Sequence, residues 1–540
     1  MSTRKATVLV FLAGIVPLAA SSGRAAGPEG PAFQTSDRCL ACHNGMKTAS
    51  GGDFSIGVDW RASVMGNSSR DPYWQASVRR ETLDHAVASS EIQDDCSICH
   101  MPIVRYEEKD QGRKAQLFPH LPLRQDKTAQ AKAAADSVSC SVCHQITSQL
   151  LGTPASYSGN FVIGGYGGGM HPESGQFDID SALMQVMSSS TGGFRPQKGE
   201  QITSSELCAT CHTLTTHALG PDGREIGSLP EQMPYPEWLH SDYRTQRTCQ
   251  SCHMPAVPEE TPIARILSRP RQGVVRHDFI AANFFLQHLL ARHHDELDVA
   301  AQPSELEAAA ANTVRFIQSE AARIAVSQPR IENNTLAVSV TVENLSGHKF
   351  PTAFPARRAW LHVSIHDREG HAVFESGALR ANGSIAGNDN DDDPARYEPH
   401  YREIRDPGEV QIYESILSDP HGGVTTGLLA ATGYLKDNRL LPHGFDKGSA
   451  PAEIAVHGDA LVDPAFSDRG DTVRYVIGLG STAGPYRVEA ELWYQPVGYR
   501  WANNLKPYDT APEPRLFTGY YDAMGAMSAV LVVRAQTTSN

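Results

Sequence analysis

The chain has 540 residues and a formal net charge of −14. This length is too great for one ordinary domain, so two or three domains are expected. The acidic balance argues against binding to nucleic acid and favours partner proteins that present complementary basic patches.

The N-terminus has the features of a targeting segment. Arg4 and Lys5 precede an apolar stretch from Val8 to Ala20, and small residues follow at positions 23–26. This order predicts a secretory signal over residues 1–26 that is cleaved after export. The alternative is an uncleaved membrane anchor, but the apolar stretch is short for one. We therefore expect a periplasmic or otherwise exported protein that has no stable membrane span in its mature form.

One pentapeptide pattern, Cys-x-x-Cys-His, occurs five times. The copies are Cys39-Leu40-Ala41-Cys42-His43, Cys96-Ser97-Ile98-Cys99-His100, Cys140-Ser141-Val142-Cys143-His144, Cys208-Ala209-Thr210-Cys211-His212 and Cys249-Gln250-Ser251-Cys252-His253. The pattern is typical of covalent c-type haem attachment, in which two thiols bond the porphyrin and the adjacent histidine is the proximal ligand of the iron. The sequence therefore predicts five c-type haems, attached by a maturation machinery outside the cytoplasm.

Two other chemistries use a Cys-x-x-Cys pair. One is a redox-active disulfide and the other is half of a zinc site. Zinc would need the pairs two at a time, but five is odd, and zinc leaves the adjacent histidine unexplained. The five motifs contain all ten cysteines, so no thiol is left for a disulfide or a catalytic nucleophile.

The five motifs fall within residues 31–300, which we expect to form a pentahaem domain. This segment is rich in Gly, Ser and Pro, so we expect the porphyrins to supply much of its core. Helices are predicted at Tyr73 to Ala88, Gln125 to Asp136, Tyr235 to Tyr243 and Phe279 to Leu297. A connecting helix is predicted within residues 301–328, running from Ser304, a plausible N-cap, to Val326.

Residues 329–540 have a different pattern, with apolar residues at every second position. Strands are predicted around Leu336 to Val342, Trp360 to Ile365, Tyr475 to Gly478, Tyr486 to Tyr494 and Ala529 to Val533. Separate strands without helical linkers favour an antiparallel β-sandwich. The predicted fold class is thus multi-domain: a mainly α and irregular domain organised by haem, followed by the sandwich.

Electron-transfer haems usually have a second axial ligand, and 22 histidines leave a surplus beyond the five motifs. The distal candidates are His85, His120, His171, His217, His240 and His277, and His288, His293 and His294 also lie in this region. Each of these could instead be a surface or hydrogen-bonded histidine, which is the favoured interpretation for His293 and His294. Methionine is the other common ligand, and Met65, Met101, Met170 and Met254 lie in this region.

Several stretches resemble a known family. They are Cys96 to Pro102, Glu206 to His212, Tyr235-Pro-Glu-Trp238 before Cys249 to Pro255, His277-Asp-Phe279 with Asn283, and Asn344-Leu-Ser-Gly-His-Lys-Phe-Pro351 before Arg357 to Trp360. They resemble multihaem c-type cytochromes related to the tetrahaem cytochrome of nitrifying bacteria. The resemblance implies closely packed haems with mostly bis-histidine ligation, with His277 as a distal ligand and His348 as a further one.

The chain departs from this family pattern in having five motifs, so the order of the haems cannot be transferred position by position. It also lacks the Cys-x-x-Cys-Lys site of multihaem nitrite reductases.

Three smaller features have two interpretations each. The acidic stretch 387–393 could bind Ca²⁺, but it lacks the EF-hand order, so a solvated loop is favoured. The glycine-rich stretch 164–169 has no helix behind it, which favours a loop against a porphyrin over a phosphate site. Arg357 and Arg358 could bind haem propionates or form ordinary salt bridges.

The sequence favours an electron-transfer protein that carries charge along its haems between redox partner proteins, with no catalytic residues. The alternative is a multihaem oxidoreductase that binds a small inorganic substrate at one haem with an open sixth position. A β-rich binding protein with vestigial haems is a third possibility, but five complete motifs argue against it.

Overall fold

The computed structural model describes residues 33–123, 128–164, 171–191 and 193–539. The predicted signal sequence, Met170 and most of the glycine-rich stretch lie outside these ranges.

Helices occupy mainly the first three-fifths of the described chain. They are α1 (Ser36–Leu40), α2 (Ile56–Arg61), α3 (Pro72–Asp84), α4 (Ser89–His100), α5 (Pro102–Asp110), α6 (Ala129–Ala135), α7 (Cys140–Gln145), α8 (Ser181–Thr191), α9 (Ser205–Ala209), α10 (Pro234–Leu239), α11 (Cys249–His253), α12 (Phe284–Arg292), α13 (Pro303–Glu320), α14 (Asp389–Asp392), α15 (Tyr499–Asn503) and α16 (Pro512–Met524). Among the helices of the described ranges, none combines the length and the apolar character that a bilayer crossing requires.

Strands occupy mainly the C-terminal part. They are β1 (His171–Gly175), β2 (Phe194–Lys198), β3 (Leu214–Leu219), β4 (Glu225–Gln232), β5 (Ala322–Val326), β6 (Arg330–Glu332), β7 (Thr335–Asn344), β8 (Arg358–His366), β9 (Ala372–Ser376), β10 (Glu403–Ile404), β11 (Ile412–Tyr413), β12 (Ser415–Ser418), β13 (Val424–Thr425), β14 (Gly433–Asp437), β15 (Asp471–Gly478), β16 (Arg487–Gln495) and β17 (Val530–Thr538).

Side-chain caps set where the helices of the motif-bearing part begin. The Asp71 carboxylate accepts hydrogen bonds from the backbone N–H of Tyr73 and Trp74, and Pro72 occupies the first turn of α3. Asn283 caps α12 by accepting from the Leu286 N–H at 3.2 Å. The helix predicted from Phe279 therefore begins five residues later, at the residue after this cap.

Helix α13 is shorter than the connecting helix that the sequence predicted. Gln302 rather than Ser304 is its N-cap, and it forms a capping box with Glu305. The helix ends at Glu320, because Ala322–Val326 pairs with β7 as an edge strand. The β-sheet structure thus begins before residue 328.

Beside a three-stranded sheet of order β13-β12-β14, two five-stranded sheets form the β-rich part. One has the order β10-β15-β7-β5, with β6 also paired to β7, and the other has the order β11-β8-β16-β17, with β9 paired to β8. Burial alternates along β7, as expected for a strand with one face on the core. All of these pairs are antiparallel except β10 with β15, which is parallel.

The helical and β-rich parts pack against each other through α3. Arg79 binds the Glu513 carboxylate with two hydrogen bonds of 2.8 and 2.9 Å, and the Tyr73 ring lies 5.1 Å from that of Phe517. Residues of both parts belong to one hydrophobic core. This packing places loops of the β-rich part beside the cysteine motifs.

Candidate functional site

One cavity brings the five motifs together. Its volume is about 1780 Å³, and its lining includes all ten cysteines and the histidine of every motif. Ordinary small-molecule pockets are smaller, about 300–1,000 Å³. Motifs that are spread over more than 200 residues of sequence therefore face a single interior space.

Each motif sits on a short helical segment. In the first motif the His43 N–H donates to the Cys39 carbonyl at 3.0 Å, and in the fourth the His212 N–H donates to the Cys208 carbonyl at 2.9 Å. A helical turn puts residues three apart on the same face, so the two thiols of a motif can reach one porphyrin while the histidine lies one turn beyond the first thiol.

Four of the five motif histidines are oriented by a backbone carbonyl. Their Nδ1 atoms bond carbonyl oxygens as follows: His43 to Ile263 at 2.6 Å, His100 to Ser68 at 2.9 Å, His144 to Ser174 at 2.6 Å and His253 to Ile280 at 2.5 Å. A carbonyl can only accept, so Nδ1 carries the proton and Nε2 keeps its lone pair for a metal. Burial also lowers the pKa of all five motif histidines, which favours the neutral form that binds iron.

Two of these histidines face a second histidine across the cavity. The rings of His144 and His277 have centroids 6.4 Å apart and planes 13° apart, and those of His253 and His348 are 6.2 Å and 9° apart. Two metal–nitrogen bonds of about 2 Å plus about 1 Å from each nitrogen to its ring centre give a similar separation for one shared metal. Burial lowers the pKa of His277 to about 3 and that of His348 to about 4.

The other distal candidates have different surroundings. His217 lines the rim of the cavity and lies 3.0 Å from Glu225. His240 lies outside the cavity lining, where its Nε2 bonds the Asp446 carbonyl at 3.1 Å.

The remaining histidines also lie outside the cavity lining. His85 is 3.9 Å from Glu81, His120 is partly buried on a 3₁₀ turn, and His171 is buried against Phe194. His288, His293 and His294 lie on or next to the C-terminal half of α12 beside Glu307, Glu296 and Asp295 respectively.

Some of the candidate methionines and arginines line the cavity and others do not. Met65 and Met254 line the cavity, whereas Met101 is fully buried outside its lining. Arg357 also lines the cavity. Arg358 is buried in the β-rich part, where it binds Asp391 with hydrogen bonds of 2.8 and 2.9 Å.

The acidic stretch that raised the question of Ca²⁺ is paired with arginines. Asp391 binds Arg358, while Asp389 and Asp392 form ion pairs with Arg396 and Arg380. These cations neutralise the carboxylates that a Ca²⁺ site would use.

The structure also shows which motifs are neighbours. The Cys140 N–H donates to Ser36, one turn before Cys39, and the Cys249 N–H donates to Ser205, one turn before Cys208. The neighbouring Cys211 thiol raises the pKa of the Cys99 thiol, so the second and fourth motifs also adjoin. Burial raises the pKa of the Cys143 thiol to about 12, and the Cys211 thiol contributes a smaller part of this shift. The third motif therefore lies near the fourth.

A buried charged cluster, which sequence reasoning missed, anchors His348. Its members are Glu237, Lys349, Asp437 and Arg439. The Lys349 Nζ donates to Asp437 at 2.7 Å and the Lys349 N–H donates to Glu237 at 3.1 Å, while Arg439 bonds both carboxylates. Burial alone would raise the pKa of Asp437, but the Arg439 and Lys349 cations hold it below its usual range.

Two signals in the sequence could have pointed to this cluster. Glu237 stands in the Tyr-Pro-Glu-Trp stretch, and Lys349 directly follows His348. A charged residue within an otherwise apolar stretch often has a buried partner.

The comparisons with known proteins agree with this geometry at the level of fold. No family model matches the sequence, and no curated protein matches it. A crystal structure of a penta-heme cytochrome c552 from Thermochromatium tepidum is similar to the chain, with 15% identity and a TM-score of 0.54. The similarity covers 94% of this chain and 100% of that one. The chain therefore shares the overall fold of a multihaem cytochrome c.

Proposed function

We propose that the protein is a pentahaem c-type cytochrome that transfers electrons between redox partners. The observation that supports this most strongly is the single cavity into which all ten cysteines and all five motif histidines face. Haem iron, when bound, would supply a one-electron couple with no other substrate required.

The residues of the chain have separate tasks in holding these groups. Each Cys-x-x-Cys pair would form the two thioether bonds, and each following histidine would be the proximal ligand. His277 would be the second ligand opposite His144, and His348 would be the second ligand opposite His253. Arg357 would neutralise a propionate, which lowers the cost of burying its charge.

The proximity of the motifs supports transfer along the whole set. The first motif adjoins the third, the third lies near the fourth, and the fourth adjoins both the second and the fifth. We infer that the haems form one connected set with a branch at the fourth motif.

The first experiment is a pyridine haemochrome assay combined with the intact mass of the exported protein. We expect five covalently bound haems for each chain and reversible reduction of all five in a spectroscopic titration. A colourless protein, or one with the mass of the bare polypeptide after expression with an active maturation system, would contradict the proposal.

A second candidate function is the reduction or oxidation of a small inorganic substrate at one open iron. Within the described ranges, His43, His100 and His212 have no histidine ring stacked opposite at about 6 Å, although His217, Met65 and Met254 line the cavity. A high-spin ferric signal and carbon monoxide binding after reduction would support this function. Wholly low-spin spectra without carbon monoxide binding would exclude it.

We further propose that the protein is exported after cleavage of residues 1–26 and that it acts in the periplasm. The division into a pentahaem domain at 31–300, a connecting helix and a sandwich, and the relation to the tetrahaem cytochrome of nitrifying bacteria, belong to the same proposal. Mass spectrometry of the N-terminus of the mature protein tests the cleavage site directly.

A further inference from the structure

A loop rich in arginine closes over the first motif. Residues 261–271, here called the arginine loop, are held at their base by paired backbone hydrogen bonds between Thr261 and Arg271. Within the loop, the Ile263 carbonyl accepts from His43 at 2.6 Å and the Arg265 N–H donates to the Cys42 carbonyl at 2.9 Å. The loop is thus attached directly to the first motif.

The tip of this loop presents two large aliphatic side chains to solvent. Ile266 is 50% exposed but also lines the cavity, whereas Leu267 is 66% exposed and lies outside that lining. Leu267 also has a φ of 56°, in the left-handed region that a leucine rarely adopts. Residues held in such a conformation cluster at functional sites.

The charge around this tip is opposite to that of the whole chain. Arg265, Arg269 and Arg271 lie in the loop and Arg38 directly precedes Cys39, and none of the four forms an ion pair with any residue that the structure describes. Glu259 and Glu260 directly precede the loop, and the Glu259 carboxylate accepts hydrogen bonds from Ser50, while Asp178 pairs with Lys198. Residues 261–271 themselves contain three arginines and no carboxylate, so the loop is cationic although the chain carries a net charge of −14.

The arginines fall into two groups. Arg38 and Arg271 line the cavity, where propionates of the first haem would neutralise them. Arg265 and Arg269 are exposed and lie outside that lining, so their charges remain available to another molecule.

We propose that the arginine loop is the docking surface for an acidic electron-carrier protein, which exchanges electrons with the haem of the first motif. This inference rests on the electron-transfer function proposed above. Leu267 would form the small apolar centre of the contact, and Arg265 and Arg269 would form its charged rim, which steers a carrier of opposite charge. In the exchange, one electron passes from the reduced centre of the carrier to a ferric centre of this protein, with no bond made or broken.

The test uses the full haem-loaded protein and a reduced plant-type ferredoxin, a small acidic one-electron carrier, as the probe. The double variant Arg265→Gln/Arg269→Gln should lower the second-order rate of reduction about tenfold at low salt, because steering by charge contributes 10–1,000-fold to such rates. The difference should vanish near 1 M salt, where the Debye length falls to about 3 Å.

The matched control is Arg330→Gln/Arg487→Gln. Both of these arginines are exposed on strands of the β-rich part, and their loss changes the net charge by the same amount. We expect the control protein to react with the ferredoxin at nearly the rate of the unaltered protein. Equal losses of rate in the two double variants would overturn the proposal.

Two further measurements distinguish a failure of the docking proposal from a failure of the electron-transfer function. Photoreduced riboflavin, a small neutral reductant, should reduce all the proteins at the same rate, and a protein that it cannot reduce would contradict the electron-transfer function itself. Co-sedimentation with vesicles of phosphatidylserine and phosphatidylcholine tests whether the loop binds a membrane instead. Vesicle binding that requires Arg265 and Arg269, with an unchanged ferredoxin rate in their double variant, would overturn protein docking.

Discussion

At the scale of single residues, the position of His277 gives the most direct test of ligation. We expect His277→Ala to convert one haem from low spin to high spin, because the ring opposite His144 is removed and alanine cannot bind iron. Electron paramagnetic resonance of the oxidised protein measures the change.

His240→Ala is the control for that substitution, since the His240 Nε2 bonds a backbone carbonyl outside the cavity lining. Its spectrum should match that of the unaltered protein. An unchanged spectrum for His277→Ala would show that the assignment of this ligand is wrong.

A second prediction at this scale concerns Asp437, which neutralises two buried cations. The Asp437→Asn variant should be less stable by about 3–5 kcal/mol, because Lys349 and Arg439 would remain buried without a full counter-charge. The midpoint of urea unfolding measures this loss. We also expect a partial change of spin state, since Lys349 directly follows His348, the proposed second ligand.

The matched control is Asp392→Asn, which removes one carboxylate from the exposed ion pair with Arg380. Exposed pairs contribute less than about 1 kcal/mol, so its unfolding midpoint should barely move. Similar losses in the two variants would contradict the importance of the buried cluster.

At the scale of elements, β15 begins with a carboxylate that is buried in the sheet. The Asp471 carboxylate accepts from Tyr413 Oη at 2.8 Å and from Gln411 Nε2 at 3.0 Å, with Asp463 and His400 beside it. Burial, with a contribution from Asp463, raises the pKa of Asp471 to about 7.

This raised pKa predicts a dependence of stability on pH. The folded state holds a proton that an unfolded aspartate, with a pKa near 3.9, releases. The stabilising contribution is therefore complete below about pH 4 and is lost as the pH rises to about 7. We expect Asp471→Asn to reduce the fall in the unfolding free energy over this range, measured by urea unfolding at a series of pH values. If the unfolding free energy of Asp471→Asn fell as steeply with pH as that of the unaltered protein, Asp471 would not be the source of the pH dependence.

Local patterns were enough to predict several elements. The apolar patterns of Leu336 to Val342 and of Trp360 to Ile365 correspond to β7 and β8, although only β7 alternates in burial and β8 is buried on both faces. The bounds of helices were harder to predict, as α12 and α13 show. Their first residues depend on the capping side chains of Asn283 and Gln302, which compete with equally plausible neighbours.

The candidate site shows the same division between local and long-range information. The five motifs are local signals, and each occupies the lining of the cavity. The partners of His144 and His253 lie more than 90 residues away in sequence, and spacing cannot give such contacts. The resemblance implied His277 and His348, whereas only nearness in sequence suggested His120, His171, His217 and His240. Of these four, His217 alone lines the cavity.

At the scale of the whole molecule, the size of the cavity predicts that folding depends on haem. A space of about 1780 Å³ with a largely apolar lining cannot persist when empty, since interiors pack closely. We expect the chain produced without haem attachment to be digested rapidly by protease between residues 33 and 300. Most residues of the shared hydrophobic core lie after residue 320, so the two five-stranded sheets should be cut more slowly.

Mass spectrometry of the fragments over time identifies which part survives. The haem-loaded protein is the reference, and it should resist digestion throughout. Equal digestion of both parts in the haem-free chain would show that the sheets also need the porphyrins.

The anchoring of His348 beside Glu237 has a consequence for biogenesis. If the chain is exported as proposed, the fifth motif would cross the membrane about a hundred residues before His348, and Asp437 and Arg439, which hold the residue after His348, would follow later still. Haem would therefore be attached at Cys249 and Cys252 before His348 is held in place. Final tuning of that centre would await the arrival of the last third of the polypeptide.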